Sequence, residues 1–388
     1  MTNNKDKKVL NVPNLRFPNF FEEWEEHYLS EYLEFKNGLN PNAEKFGRGI
    51  KFISVMDILS NNVITYDCIR ASVEITAEEL KSFIVKNGDI LFQRSSETLE
   101  DVGRANVYMD DKPAVFGGFV IRGKKKSEYN PLFFKYLLAT PYARRKIIPM
   151  GAGAQHFNIG QEGLSKVKLY FPILQEQHKI ASLLQLIDER ISTQNKIIED
   201  LKKLKSAIYQ ELFSNLQGEK KSLSELAEIT KGQQVNGNQL NENGKYYVMN
   251  GGIMPSGYYD DYNTEAGTIS ISEGGNSCGY VQYNKSKFWS GGHCYTLHIK
   301  PTARISTLFL FHFLKWKEED IMRLRIGSGL PNIQKKDLSK VRIIVPTFDK
   351  QQRLIALLST LQMKIEYEEM YTINLDKQKL HLLSQMFI

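Results

Sequence analysis

Residues 164–172 read LSKVKLYFP and residues 338–346 read LSKVRIIVP, and from Leu164 and Leu338 onward the chain repeats itself without a gap for 51 residues. The offset is 174, and thirteen of the 51 positions are identical, where unrelated sequence would share about three. Each copy runs on into about forty residues of helical period. In the first, Ile180, Leu184, Ile187, Ile191, Ile198, Leu201, Ile208 and Leu212 alternate at spacings of four and three. That is the a/d seam of a coiled coil. In the second, Leu354, Leu358, Leu361, Ile365, Leu375, Leu382 and Met386 hold the matching places. Both seams are broken by polar residues at the same points, Gln194 against Glu368 and Lys205 against Lys379. Polar residues on a seam cost stability and set register, so the two helices are expected to pair with each other.

Shorter echoes lie upstream. Leu29-Ser30-Glu31 with Glu34 and Gly38 matches Leu223-Ser224-Glu225 with Glu228 and Gly232 at an offset of 194. Gly88–Phe92 has a looser counterpart in Gly267–Ile271, and Leu132-Phe133-Phe134 in Leu308-Phe309-Leu310. Between these anchors the halves differ freely. The order is therefore globule, helix, globule, helix: an α+β chain in which two mixed α/β domains are separated by two long antiparallel coiled-coil helices in a pseudo-twofold repeat. The second helix starts at the second globule, so to pack on its twin it must return toward the first. Forty helical residues reach roughly 60 Å.

Local reading gives an extended lead over residues 1–25 and a short helix over 27–36. Strands are expected at 48–56, 83–94 and 115–121, and a helix over 130–148 broken near Pro141. The second half repeats this with strands at 245–249, 268–272 and 279–283 and a helix over 306–323.

With 388 residues there is room for two domains with their own cores. The longest apolar runs fall short of the ~20 residues of a membrane helix. The opening MTNNKDKKVLNVPNLRFP has no apolar signal core, so no export is expected. Cys68, Cys278 and Cys294 are scattered, with no histidine at ligand spacing. Free, packed thiols in a reducing cytoplasm, with no metal site, are the expectation. The net charge of +7 points weakly toward nucleic acid.

Catalytic patterns miss. Gly118–Lys125 (GFVIRGKK) places Lys125 where a phosphate-binding loop needs Ser or Thr. Asn130-Pro131-Leu132-Phe133 lacks the second proline of the motif that grips a flipped base, and reads as a helix N-cap with proline in the first turn. The Gly-rich loops GAGAQHF (151–157) and GSGLPNI (327–333) precede strands, unlike dinucleotide-binding loops, and His156 is a lone histidine. What the globules offer instead is side chains that read base edges: arginine for guanine, asparagine or glutamine for adenine, and glycine for close approach. The candidates for base reading are Gln93, Arg94, Ser95, Ser96 and Arg104 in the first domain. In the second they are Asn250, Gly251, Glu273, Asn276 and Tyr280. Lys124, Lys125, Arg144, Lys166, Lys340 and Arg342 are candidates for phosphates, which set register without carrying sequence information.

The opening NVPNLRFPNFFEEWEEHYLSEYLEFKNG and the repeated LSKV segments leading into QEQHKIASLL and DKQQRLIALL resemble the specificity subunits of type I restriction–modification systems. The resemblance spans the chain. It implies a first target-recognition domain over 1–172, a spacer helix over 173–216, a second domain over 217–346 and a second helix over 347–388. It implies a non-catalytic cytoplasmic subunit that reads a bipartite double-stranded DNA site and recruits two methyltransferase subunits and motor-nuclease (restriction) subunits. S-adenosylmethionine, ATP and Mg2+ would sit on those partners and no cofactor on this chain. Half-sites about one helical turn apart, roughly 34–36 Å, would suit such a reader. Two alternatives remain at this stage: a coiled-coil scaffold with no DNA role, and a stand-alone DNA-binding regulator.

Overall fold

A computed structural model describes residues 10–60, 62–327 and 329–388. Residues 1–9, on which the expectation of no export partly rests, and Ser328 in the second Gly-rich loop lie outside them. The chain forms two compact units, residues 1–194 with 371–388, and residues 195–370.

The first unit is built on a four-stranded antiparallel sheet, in the order Leu33–Asn37, Val120–Lys125, Ile90–Gln93, Ala105–Val107. Ile90, Phe92 and Ile121 on one face pack against Phe133, Phe134 and Leu137 of the helix Pro131–Ala139. Asn130 caps that helix through the Phe133 N–H (2.9 Å) and Pro131 opens its first turn, which is the cap reading of this motif. A smaller sheet sets Phe46–Ile53 between Ser72–Val73 and Val115–Phe116, the latter pairing in parallel. The unit's first strand, Glu25–Tyr28, pairs with Lys168–Phe171, the strand that leads into the first long helix.

The second unit repeats the plan. Its sheet runs Ala227–Lys231, Cys294–Ile299, Thr268–Ser272, Val281–Asn284, over Phe309, Leu310 and Phe313 of the helix Thr307–Trp316. Tyr246–Met249 pairs in parallel with Trp289–Ser290, as Phe46–Ile53 does with Val115–Phe116. Glu219–Ser222 pairs with Arg342–Val345 ahead of the second long helix. Leu29 and Leu223 even donate the same hydrogen bond, to the carbonyls of Val167 and Val341, each at 2.9 Å.

The long helices are Leu174–Ser214 and Phe348–Gln385. Neither belongs to one unit. In the first unit Ile180 and Leu184 join Met386 and Phe387 in one core, and Asp188 pairs with Lys379 at 2.6 Å. In the second, Tyr209 and Phe213 join Leu354 and Leu358, and Lys202 pairs with Glu369 at 2.6 Å. Residues rising along one helix meet residues falling along the other, so the packing is antiparallel as the repeat requires. Gln194 and Glu368 are both buried, and Ile187, Ile191, Leu361 and Ile365 are buried or half-buried along the same stripe.

Identical residues of the repeat have visible reasons. Gln177 and Gln351 are buried amides that each donate to the carbonyl of the preceding repeat proline, Pro172 or Pro346, at 3.0 Å. Each accepts from the first backbone N–H of a cap, Asn130 (3.0 Å) or Ser306 (2.9 Å). A buried amide so satisfied ties strand, long helix and domain helix together.

Local expectations need correction in places. The helix over 27–36 is only Leu29–Tyr32; Leu33–Asn37 is a strand, because a sheet neighbour overrides the local pattern. The strand over 83–94 is Ile90–Gln93, preceded by the helix Ala77–Phe83 with its Thr76–Glu79 capping box. The strand over 115–121 is two strands split by a turn at Gly117-Gly118. Cys68 is exposed, not packed, while Cys278 and Cys294 are buried; all three are free. No helix among the described residues is long and apolar enough to cross a membrane.

Candidate nucleic-acid interface

In each unit three loops meet at one backbone position. In the first, the chain leaves the sheet after Gln93, and Arg94 makes two hydrogen bonds: its N–H donates to Phe119 O (2.8 Å) and its carbonyl accepts from Ile159 (2.9 Å). The loop over 94–104 is thereby held between the Gly117-Gly118 turn and the hairpin of the first Gly-rich loop. In the second unit Glu273 N–H donates to His293 O (2.9 Å) and its carbonyl accepts from Ile333 (2.8 Å). Gly103 to Gln93 (2.8 Å) has its counterpart in Gly279 to Ser272 (2.8 Å). The geometry makes Arg94 equivalent to Glu273, Phe119 to His293, and Arg104 to Tyr280, whose carbonyls each accept from the strand end opposite.

The Gly-Gly step recurs because the backbone passes too close for a Cβ. One added at Gly117 would lie 2.6 Å from the Phe52 ring, and one at Gly291 2.6 Å from Asn250 Oδ1. Gly117 and Gly291 donate to the equivalent carbonyls of Ile53 (3.0 Å) and Met249 (2.8 Å). The step delivers an exposed side chain to the loop cluster: Phe119, 67% exposed, in one domain and His293 in the other.

The base-reading candidates fare unequally. Arg94 is half-buried, with Nη1 on Gly118 O (3.2 Å). Arg104 is exposed and pairs with Asp101 (2.7 Å). Ser95 hydrogen-bonds Asn158 of the facing strand, and Ser96 Oγ accepts from Thr98 N–H (3.2 Å). Gln93 must be corrected: it is buried on the central strand and folds its amide onto Ser95 O (2.9 Å), so it is not presented to a groove. In the second domain Asn276 is exposed and Tyr280 half-buried, its ring 4.0 Å from Lys315 Nζ. Asn250 Oδ1 takes the His293 N–H (3.0 Å), and Gly251 turns the chain at φ +84° while its carbonyl accepts from Ser272 (2.6 Å). Glu273 accepts from Lys231 (2.7 Å) and Tyr295 (3.0 Å), leaving Oε2 buried without a hydrogen bond, 3.8 Å from His293 Nδ1. In this arrangement Glu273 neutralises a lysine and shapes the loop.

The phosphate candidates do not gather at these loops, which corrects the expectation. Lys124 and Lys125 lie at the far end of the strand whose Val120 faces Gln93, about 13 Å away at 3.3 Å per residue, and pair with Glu34 and Glu128. Lys166, paired with Glu162, follows Ser165, whose carbonyl accepts from Ser30 at that same end, where Lys126 also reaches Ser30. Lys340 and Arg342 lie beside Leu223–Leu226, opposite the Cys294 end of the second sheet. Arg144 sits under the loop over 94–104, donating to Glu100 O (2.8 Å) and Val102 O (2.6 Å). Burial, with Arg104 nearby, pushes its guanidinium down to about 10. It is half-buried and spends its donors bracing the loop. Strand ends cannot be assigned from lysine clusters alone, which is why composition misplaced them.

Residues that reasoning from sequence passed over do gather here: Phe119, Asn158, Lys231, His293 and the exposed Arg325, one residue before the Ile326–Asn332 bridge. The repeated Gly-Gly step at 117 and 291 was the available signal. Among the described residues no group of three His, Cys, Asp or Glu is placed to hold a metal ion.

Two loop-bearing α/β domains on one repeated framework, with a pair of long helices, define a modular repeat protein. The sequence profile of the type I restriction modification DNA specificity domain matches residues 21–203 and 216–375. A type I specificity subunit of Mycoplasma pneumoniae is 35% identical over 157 residues, 40% of this chain and 42% of that protein. The alignment thus spans about two fifths of that relative's length. A type I restriction enzyme specificity subunit of Methanocaldococcus jannaschii is 24% identical over 92% of this chain and 91% of its own. The crystal structure of a type I restriction–modification S subunit from M. genitalium shares the fold, with TM-score 0.64 and 20% identity over 97% of this chain and 99% of that one. The chain belongs to the type I restriction–modification DNA specificity family.

Proposed function

We propose that this chain is the non-catalytic DNA-reading subunit of a type I restriction–modification complex, each domain reading one half of a bipartite double-stranded site. The observation that carries it is the pair of loop clusters at equivalent framework positions with different chemistry: Arg94, Arg104 and Phe119 in one, Glu273, Tyr280 and His293 in the other. An arginine suits guanine, whereas the imidazole of the exposed His293 suits other base edges, so the half-sites differ in sequence. The two domains correspond to residues 1–172 and 217–346, with the spacer helices over 173–216 and 347–388 setting the gap.

The outer faces of the helices support recruitment of two methyltransferase subunits and, through them, restriction subunits. Leu186 and, on the second helix, Ile373 and Leu380 are exposed in the first unit; Ile197, Leu204, Leu357, Met363, Tyr367 and Met370 are exposed in the second. Apolar side chains displayed in such number on a helix surface mark an interaction face. S-adenosylmethionine, ATP and Mg2+ belong to the partners in this reading, and the complex works in the cytoplasm, where the DNA is.

Methylation mapping of genomic DNA from cells with and without this gene, its methyltransferase subunit present, tests the assignment. Loss of adenine methylation at one split motif is the expected result. Unchanged methylation would sink it.

A further inference from the structure

The repeat places Lys205 and Lys379 at equivalent positions, and likewise Asp188 and Gln362, each pair 174 residues apart. In the first unit Lys379 Nζ lies 2.6 Å from the Asp188 carboxylate, which also accepts from Tyr136 Oη (2.8 Å). In the second unit Lys205 Nζ meets Gln362 Oε1, again at 2.6 Å. The geometry is the same and the charge is not: a carboxylate in one copy is a neutral amide in the other.

Lys205 is half-buried, and desolvation, with Lys315 nearby, lowers its pKa against the opposing pull of the more distant Glu366, Glu318 and Glu369. No carboxylate of the described residues comes within 4 Å of its nitrogen. Its neighbours are all provided for: Lys202 by Glu369 (2.6 Å), Lys315 by Glu318 (2.6 Å), and Lys317 and Arg323 by Asp320 (2.9 and 3.1 Å). These groups line a cavity of about 700 Å³ between the two long helices and the helix Thr307–Trp316, all within the second unit. The lining carries five cations (Lys202, Lys205, Lys315, Lys317, Arg323) and four carboxylates (Glu318, Glu319, Asp320, Glu369), and the odd charge is that of Lys205. The aromatic groups there are already engaged. Trp316 stacks on Phe213 (centroids 5.5 Å) and donates to Gln210 (3.1 Å); Tyr209 holds His312 (2.6 Å). The rings of the cavity are thus engaged, and what it offers is a lysine whose nitrogen contacts an amide where its twin contacts a carboxylate.

We propose that this cavity is an oxyanion site in which Lys205 binds one carboxylate or phosphate group beside Gln362, supplying the negative charge that Asp188 supplies in the other half. The ligand is singly charged at its bound end and needs no metal. Its source is either a free anion or an acidic side chain of a bound protein, and the two share this chemistry.

The test is the melting temperature of the full chain in acetate and in inorganic phosphate, ionic strength held constant with chloride. The wild type is expected to show a saturable rise. Lys205→Met should raise the half-saturating concentration at least tenfold. Gln362→Asp, which restores the internal carboxylate of the other half, should abolish the rise and melt about 2 °C higher than wild type in chloride. Half-saturation at lower acetate than phosphate assigns the site to a side-chain carboxylate, and the reverse order to free phosphate. Equal rises in all three proteins, or no saturable rise in the wild type, overturn the proposal. Gln362→Asp is one methylene shorter than the native side chain but lies on a half-buried helix position, so it reads the charge even if Lys205→Met perturbs folding.

Discussion

Arg144 and Arg104 lie close together but are expected to behave differently on removal. Arg144 supplies charged hydrogen bonds to two carbonyls of the loop over 94–104 from a largely buried position. Arg144→Ala should cost about 2 kcal/mol in chemical denaturation, since it removes two charged hydrogen bonds and strands the carbonyl of the buried Val102. Arg104 is exposed and paired only with Asp101, so Arg104→Ala should change stability by under ~0.5 kcal/mol while weakening DNA binding. Equal losses from the two would refute the brace. His312 carries a pH prediction. It is buried against Tyr209, with Nε2 unpartnered, and burial drops its pKa to about 4 from an ordinary 6.5. The unfolded chain binds the proton first, so stability is fully present above about pH 6.5 and falls as pH drops toward 4, by roughly 3 kcal/mol. His312→Phe should flatten that part of the pH–stability curve; an unchanged slope would discard the assignment.

At the scale of elements, the seam and the paired glutamines make the firmest expectations. Leu184 is fully buried where the first long helix meets Phe387 and the domain core. Leu184→Lys places an unpaired charge there and should lower stability by at least ~3 kcal/mol, read by thermal melting. Gln351→Leu removes the amide that serves Pro346, Arg304 and Ser306 together, and should cost about 2 kcal/mol. Gln177→Leu should cost nearly as much in the first unit, where two of the three bonds recur, to the Pro172 carbonyl and from the Asn130 N–H. A marked difference between the two would show that the repeat is not energetically equivalent.

For the whole molecule the expectation concerns division of labour. Arg94→Ala should relax or abolish recognition of one half-site and leave the other intact, in methylation mapping of the assembled complex. Uniform loss across all sequences would instead mark Arg94 as a phosphate contact. Glu273→Gln should act on the opposite half only, through the loop that Lys231 and Tyr295 hold.

The repeat at 164–214 and 338–388, the seam through Leu184 and Leu358, and the antiparallel return of the second helix were legible from residue order alone. Period and identity are properties of the linear chain, and a helix turns them into a face. The family resemblance was legible too, because framework residues such as Pro172, Gln177 and Leu184 recur in type and spacing. What only the tertiary structure decided is which polar residues reach solvent together. Gln93 is inside because its strand lies between two others, and Arg144 is under a loop because a helix 40 residues downstream in the chain packs there. Lys124 is at the wrong end of its strand for the loop cluster, and no local pattern states which end that is. The meeting of Arg94 with Phe119 and Ile159, and of Glu273 with His293 and Ile333, depends on long-range pairing between strand ends. Side-chain periodicity carries face, but convergence of loops from distant segments is fixed by how the sheets close.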